Sequence, residues 1–414
     1  MKLSSSKRLK LFILIFTEKI WMRQYSTNRN KWVFILWINA ISNYLRNIVK
    51  GSLIVTFSSK VAYPYYQGDK KSKINILWDN IIWAIKFNET NLLYYVYGMD
   101  NIDSKLRDFI SYPEFRVMRN IVNIKQRENR PQDGYIFNYI AITRDKFIFC
   151  QFCQSLNIPH PKVYGITNFG TVWWIGFDCK DYVNFDTVFS LPDFDSFVKD
   201  TSGEMGKNAY RLTKLKDKLL INDKPVTFEA LNKSISGGQY IIQQRVRQHP
   251  VLEKIYPNSV NTMRIETYLD DHGSVHVLDA IIRFGTLGRV VDNWGSGGIL
   301  VGVDLETGVM SDIAFYKPGF GGLIHDVHPD TGEYFAGIVV PYFQESLQYA
   351  STLHKALYGI PSMGWDITID ENGPVFIEAG EDWDVAVQMC KKGLRDIFFE
   401  YHLNALDYKM SDLF

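Results

Sequence analysis

Cysteine is scarce: 414 residues hold four, Cys150, Cys153, Cys179 and Cys390. That excludes a disulfide scaffold and points to a reducing compartment. Long apolar runs are missing as well. The longest, Leu11–Phe16 and Trp32–Ile38, fall far short of the roughly 20 residues that span a bilayer. A basic start precedes Leu11–Phe16, as in a secretory leader, but the run is short and passes straight into Thr17-Glu18-Lys19, so the expected location is cytoplasmic. The chain has no Gly-x-Ser-x-Gly elbow and no phosphate loop with Gly-Lys-Ser/Thr opening a helix. His249, His272, His276, His325 and His328 are scattered and show no metal-ligand spacing. Cys150-Gln151-Phe152-Cys153 lies in an expected helix with no second pair or neighbouring histidine, which suits buried structural thiols rather than zinc.

Acidic residues are nearly absent from the first 60 positions, where Glu18 stands alone against eleven Lys or Arg. The segment carries +10, and the other 354 residues, with 35 basic and 44 acidic, carry −9, so the total of +1 conceals a segregation of charge. An anionic partner for residues 1–50 follows, and a membrane surface suits it. Nucleic acid is not expected, because no recognition motif is present and the remainder is acidic. Residues 31–50 read as an amphipathic helix: Val33, Leu36, Trp37, Ala40, Ile41, Tyr44, Leu45 and Ile48 recur at helical spacing, with Gly51 as its stop. Residues 7–23 are similar. Two readings stand: a monotopic arm on an anionic membrane, or helices packed on the main body with solvated basic faces.

What is present elsewhere is an ordinary globular composition, 46% hydrophobic and 22% charged, long enough for two or three domains. Residues 52–74 read as a linker, followed by helical, aromatic-rich sequence to about 110 and a polar, loop-like patch at 125–134. From Asp145 the texture turns to mixed helix and strand. A helix is expected from Asp145 to about Leu156, strands at 162–166, 195–199, 210–215 and 239–246, and a helix at about 341–358. Alternating apolar and polar residues predict hairpins at 261–270 with 275–284 and at 363–369 with 374–378, the second closing around Asp370-Glu371-Asn372-Gly373. Between them lies a glycine-rich stretch from Gly285 to Gly302.

Three features carry chemistry. In Phe197-Val198-Lys199-Asp200-Thr201-Ser202-Gly203-Glu204-Met205-Gly206-Lys207 a strand ends in a lysine, and a small-residue loop with two glycines follows. Glycines admit phosphate close to backbone N–H groups, and the lysine adds a point charge; a solvated hairpin loop would look the same. Asp366 and Glu378 flank the second hairpin, and a register symmetric about Asn372 sets them opposite on one face. Like charges so placed repel unless a cation such as Mg²⁺ lies between them. Arg264 and Arg283, on the first hairpin, can clamp phosphate or carboxylate bidentately. Asp382-Trp383-Asp384 is an Asp-x-Asp that can hold a metal–nucleotide sugar, the alternative of a glycosyltransferase.

Together these segments resemble the ATP-grasp superfamily, and within it the sugar-transfer associated branch, over roughly residues 140–390. The resemblance runs through Arg144-Asp145-Lys146, Asn157-Ile158-Pro159-His160-Pro161, Phe197-Val198-Lys199, Tyr240-Ile241-Ile242-Gln243-Gln244-Arg245 and Ser259-Val260-Asn261-Thr262-Met263-Arg264-Ile265. It continues in Val291-Asp292-Asn293, His328-Pro329-Asp330-Thr331-Gly332, Gly364-Trp365-Asp366 and Phe376-Ile377-Glu378. It implies an α+β ATP-grasp fold of two α+β subdomains, 141–242 and 243–414, behind a basic arm (1–60) and a helical domain (61–140). It implies ATP and Mg²⁺ as cofactors. Lys146 and Lys199 would contact the phosphates under a lid at 200–207 that includes Gly203 and Gly206. Gln243 and Gln244 would read adenine, Glu253 the ribose, and Asp366 and Glu378 would hold the metal. Lys199, Arg264 and Arg283 would serve the chemistry: a carboxylate attacks the γ-phosphate, and an amine then displaces phosphate from the acyl phosphate to form an amide. The expected substrates are a carboxylated sugar, free or lipid-linked, or an amino acid, in surface polysaccharide or capsule assembly. One departure is visible: the family usually has Asn two residues after the second acid, and here that position is Gly380. A nucleotide-binding protein with impaired catalysis is the reading that departure favours.

Overall fold

In the computed structural model the described residues are 4–21, 33–62, 65–128, 139–203, 209–317, 320, 324–385, 388 and 393–407. Most of the polar patch expected at 125–134, together with Gly206, Lys207 and Cys390, lies outside them. Helices open the chain: α1 (Ser5–Trp21), α2 (Val33–Arg46), α3 (Ser52–Phe57), α4 (Lys73–Phe87), α5 (Tyr112–Glu128), α6 (Ile140–Arg144) and α7 (Lys146–Ser155). Two antiparallel sheets follow.

The first sheet contains β1 (Val163–Asn168), β2 (Thr171–Trp173), β3 (Val183–Asn184), β4 (Phe194–Asp200), β5 (Tyr210–Leu215), β6 (Lys218–Ile221), β7 (Lys224–Val226) and, after α8 (Phe228–Ile235), β8 (Tyr240–Gln244). Its order is β3-β2-β1-β8-β4-β5-β6-β7. After α9 (Pro250–Ile255) comes the second sheet: β9 (Thr262–Leu269), β10 (Val275–Phe284), β11 (Ile299–Val303), β12 (Met310–Tyr316), β13 (Ile324–His325), β14 (Ser362–Asp370) and β15 (Gly373–Gly380). Helices α10 (Phe343–Ala356) and α11 (Arg395–His402) precede and follow its last hairpin. The order is β13-β12-β11-β10-β9-β14-β15. The first sheet ends at Gln244, two residues past the boundary expected at 242.

Alternation along β9 explains the layering. Met263 and Ile265 join the core formed with Leu353 of α10, whereas Tyr268, on the opposite face, joins a core shared with the N-terminal helices and α11. Leu11, Leu14 and Ile15 of α1 lie in that second core with Phe398 and Leu406. Lys10 Nζ donates to the Leu406 carbonyl at 2.8 Å, and Lys7 pairs with Asp407 at 2.6 Å. The first helix is therefore docked on the C-terminal region with Lys7 and Lys10 engaged there, as in the second of the two readings of this segment, a helix packed on the main body.

Two further expectations fail at Gly51. The chain does not stop there: a π-turn, Asn47–Gly51, carries the helix into α3, so residues 52–57 are helix rather than linker. The glycine answers a packing demand, since a Cβ at this position would lie 2.2 Å from Thr90 Oγ1. The expected hairpins and the helix at α10 form where periodicity placed them. The glycine-rich stretch conceals β11, which is buried along its whole length and shows no alternation, and β12 follows it, buried only at Met310 and from Ala314 to Tyr316.

Candidate active site

Three residues that follow one another in sequence do three separate jobs at the entrance to α7. Asp145 caps the helix, accepting from the Phe147 and Ile148 amides at 2.9 Å each. Arg144, at the border of the same cavity as Lys146, binds Glu381, donating to Oε1 at 2.8 Å and Oε2 at 3.3 Å. Lys146 turns inward, where it is buried; its Nζ donates to the Gly203 carbonyl at 2.5 Å and lies 3.9 Å from Glu378 Oε2. The cap fixes the start of the helix and so aims the lysine.

Lys146 borders a cavity of about 370 Å³ between the two sheets. The first sheet contributes Lys199 at the end of β4 together with Gln243 and Gln244 of β8; the second contributes Thr262, Arg264, Arg283, Asp366 and Glu378. Gly203 closes one side, so near Asp200 that a Cβ there would lie 2.7 Å from the Asp200 Cβ. Burial drives the Lys199 ammonium below its ordinary value; Glu378 opposes that shift and Lys146 adds to it.

Asp366 and Glu378 are register partners, as the sequence suggested, by a route it did not show. Near the turn the pairing is Asp370 with Gly373, which continues to Ile367 with Phe376. Carried on, that register would set Asp366 against Ile377. A β-bulge inserts Ile377 and brings Glu378 opposite instead.

On the next strand Arg264 is the partner of Asp366. Arg264 Nε and Nη2 donate to its two oxygens at 2.5 and 3.0 Å, and Arg283 Nη2 reaches it at 2.9 Å. Burial alone would raise the Asp366 carboxyl, but the two guanidiniums outweigh it and hold the group well below the usual carboxylate range. The same partner raises Arg264 against its own burial. Arg283 also donates to Thr262 Oγ1 at 2.9 and 2.6 Å, and Thr262 in turn donates from its amide and hydroxyl to Asp292 at 2.8 and 2.5 Å. Burial raises Asp292 despite Arg283. One wall is thus an alternating array of two arginines and two acids, with two lysines facing it. Such a cavity neutralises a polyanion while keeping a carboxylate ionised beside it.

Sequence reasoning missed Thr262 and Asp292 as members of this array; the alternate-position spacing of Thr262 and Arg264 on one strand was the available signal. Other expected residues behave differently. Gln243 and Gln244 both border the cavity, but strand alternation separates their side chains. Gln243 is buried, donating to Cys150 Sγ at 3.1 Å, with its Oε1 unpaired, and Gln244 is exposed. Glu253 is exposed on α9 and does not border the cavity. Cys150 and Cys153 are buried free thiols, and burial pushes Cys150 up to about 11. In Asp382-Trp383-Asp384, Trp383 is fully buried, and the buried Arg119 of α5 binds both its carbonyl and the Asp382 carboxylate. Among the described residues no three His, Cys, Asp or Glu side chains converge to hold a metal by themselves.

Residues 134–399 match the family described as sugar-transfer associated ATP-grasp. No curated protein matches the chain. Solved structures with which it aligns include an L-amino acid ligase from Bacillus licheniformis (13% identity, 69% of this chain and 52% of that one, TM-score 0.39). A biotin carboxylase–β-γ-ATP complex from Campylobacter jejuni (12% identity, 70% and 52%, TM-score 0.40) and a D-alanine–D-alanine ligase from Bacillus anthracis (13% identity, 64% and 69%, TM-score 0.34) align similarly. The chain spans about half the length of the first two.

Proposed function

We propose, from the premise that this chain belongs to the sugar-transfer associated ATP-grasp family, that it is an ATP- and Mg²⁺-dependent carboxylate–amine ligase forming an amide through an acyl phosphate. The observation that carries the reading is the convergence of Lys146, Lys199, Arg264, Arg283, Asp366 and Glu378, drawn from both sheets, on one cavity. Positive charge is needed wherever phosphoryl charge spreads in the transition state. The two lysines meet the nucleotide phosphates, with the Gly203 backbone packed close against Asp200 beside them. Arg264 and Arg283 face the transferring group and the attacking carboxylate. No protein nucleophile is required.

The residues fit Mg²⁺. Asp366 and Glu378 supply two carboxylates, the number usual when phosphate oxygens and waters complete the octahedron. The arginine clamp keeps Asp366 ionised, as a ligand must be. At Gly380 a Cβ would meet nothing nearer than the Asp382 amide at 3.9 Å, which leaves room for a water where the family has Asn. Glu381 is tied to Arg144 and is not the substitute. When bound, the ion supplies charge neutralisation at the phosphates.

Substrates of this reading are a small or lipid-linked sugar carboxylate, or an amino acid, and an amine, in surface polysaccharide assembly in the cytoplasm. Peripheral attachment to the inner face of the cytoplasmic membrane belongs to it, since lipid-linked sugars are built there. ADP release is the test: it is expected only with a carboxylate and an amine both present. ATP binding without ADP release across a broad panel would overturn the ligase in favour of a nucleotide-binding protein.

A further inference from the structure

The N-terminal helices carry apolar surface that the fold leaves uncovered. From α2 through the π-turn to the end of α3, Ile41, Leu45, Val49, Leu53 and Phe57 recur every fourth residue, and each is at least 46% exposed. A spacing of four overshoots the 3.6-residue turn by about 40° per step. The wider π-turn at Asn47–Gly51 takes back part of that overshoot and keeps the five side chains in one stripe. Helix α4 carries a second stripe, Ile74, Trp78, Ile82 and Ile85, between 40% and 69% exposed.

The two helical rods that carry these stripes lie side by side. Tyr44 Oη donates to the Ile85 carbonyl at 3.2 Å and Asn47 Nδ2 to the Asn88 carbonyl at 2.8 Å, joining the first part of one rod to the end of α4. Lys73 Nζ donates to the Thr56 carbonyl at 3.0 Å, joining the other ends. The rods therefore run antiparallel, each with an exposed apolar stripe along its length.

Charge selects their occupant. Arg46, Lys50, Lys60, Lys73 and Lys86 are exposed on these segments, and residues 33–60 contain no acid. The one carboxylate of α4, Asp79, is engaged by Lys71 at 2.8 Å and by Tyr94 Oη at 2.6 Å. A second copy of this face would bring like charges together, and the aliphatic side chains that make up most of both stripes offer nucleic acid nothing to stack on. An anionic bilayer surface suits both features, with apolar side chains and Trp at the acyl boundary and lysines among the headgroups. Among the described residues no helix is long and apolar enough to cross a membrane.

We infer that the face formed by α2, the π-turn, α3 and α4 is a docking surface for anionic lipid. It deepens the peripheral location proposed above and rests on that reading only for location. It moves the contact off α1, which is packed on the body of the protein, and extends it past residue 50 to Ile85.

Full-length protein is to be sedimented with phosphatidylcholine vesicles, with and without about one-third phosphatidylglycerol. Binding is expected on the anionic vesicles only and to fall with salt. Lys50→Gln with Lys86→Gln is expected to weaken it roughly thirtyfold, and Leu53→Gln, Phe57→Gln with Trp78→Gln to abolish it. Both variants should keep the wild-type melting temperature and ATP affinity, because all five side chains are exposed and distant from the cavity in sequence. Equal binding to neutral vesicles, no binding at low salt, or a wild-type dimer that the apolar variant converts to monomer would each overturn the inference. If vesicle binding fails while ATP-dependent ligation persists, this inference alone falls; if ligation fails while vesicle binding persists, the ligase reading alone falls.

Discussion

Replacing Lys199 by Met separates what this side chain does for a nucleotide from what it costs the fold. Lys199 stands half-buried at the cavity wall and makes no hydrogen bond or ion pair among the described residues. Burial, aided by Lys146 and opposed by Glu378, pushes its ammonium below the ordinary 10.5. The charged form is therefore a cost to the folded chain. That cost is present in full below the folded value and is relieved as pH rises from there to 10.5. In that window the unfolded chain holds a proton that the folded chain has released. Met keeps the length and the apolar stem, so Lys199→Met is expected to unfold in urea at pH 7 no earlier than wild type and to lose the alkaline gain. ATP binding moves the other way. A charge-assisted contact to phosphate contributes about 1.5–3 kcal/mol, which makes the expected loss in calorimetric affinity roughly ten- to a hundredfold. Lys146→Met gives the contrast, because its Nζ bond to Gly203 at 2.5 Å disappears and stability should fall. A Lys199→Met protein that is less stable at pH 7 and binds ATP unchanged would refute both halves of the reasoning.

The metal set gives a second prediction: Asp366→Asn and Glu378→Gln should each abolish Mg²⁺-dependent ADP release, while Glu381→Gln, held by Arg144, should retain most of it; loss in Glu381→Gln alone would identify the wrong ligand. Gly51→Ala should destabilise by about 1–3 kcal/mol in denaturant titration, because its Cβ would meet Thr90 Oγ1, whereas a helix-interior glycine free of such contact would gain up to about 1 kcal/mol from the same change. Acid should weaken the fold at one buried histidine. His354 is buried, with Nε2 on the Ile360 carbonyl and Nδ1 facing Thr267 Oγ1, and burial lowers it to about 4. Since the unfolded chain takes up this proton near pH 6.5 and the folded chain does not, stability should fall between about pH 6.5 and 4, by roughly 3 kcal/mol for this residue. Because burial raises Glu89 to about 7 and so strengthens the fold over part of the same range, the check is the difference in urea midpoint between wild type and His354→Gln; a difference that does not change from pH 6.5 to 4 would contradict the histidine's being buried and neutral.

The sequence by itself determined the elements whose pattern repeats locally. Both long hairpins, α7 with its Asp145 cap and α10 were legible because a period of 2 or 3.6 is written into neighbouring residues. So was the excess of positive charge near the start, and so were the lysines, arginines and acids that meet in the cavity, since their types suit phosphate and metal whatever their surroundings. Tertiary structure alone decided how they meet. Arg264 and Asp366 stand 102 positions apart, and no local period reports that both arginines close on one carboxylate. The pairing of Asp366 with Glu378 depends on one inserted residue, Ile377, and a bulge leaves almost no trace in a pattern of apolar residues. Edge strands such as β3 and β13, two residues each, exist because a neighbouring strand supplies their hydrogen bonds. Gly51 reads as a helix stop until Thr90 is seen beside it, and the choice between an arm and a docked helix for α1 stays open until Leu406 is seen to accept from Lys10. In each case a contact between residues distant in the chain outweighs a local preference of about 1 kcal/mol, because close packing forbids the overlap or burial demands the bond.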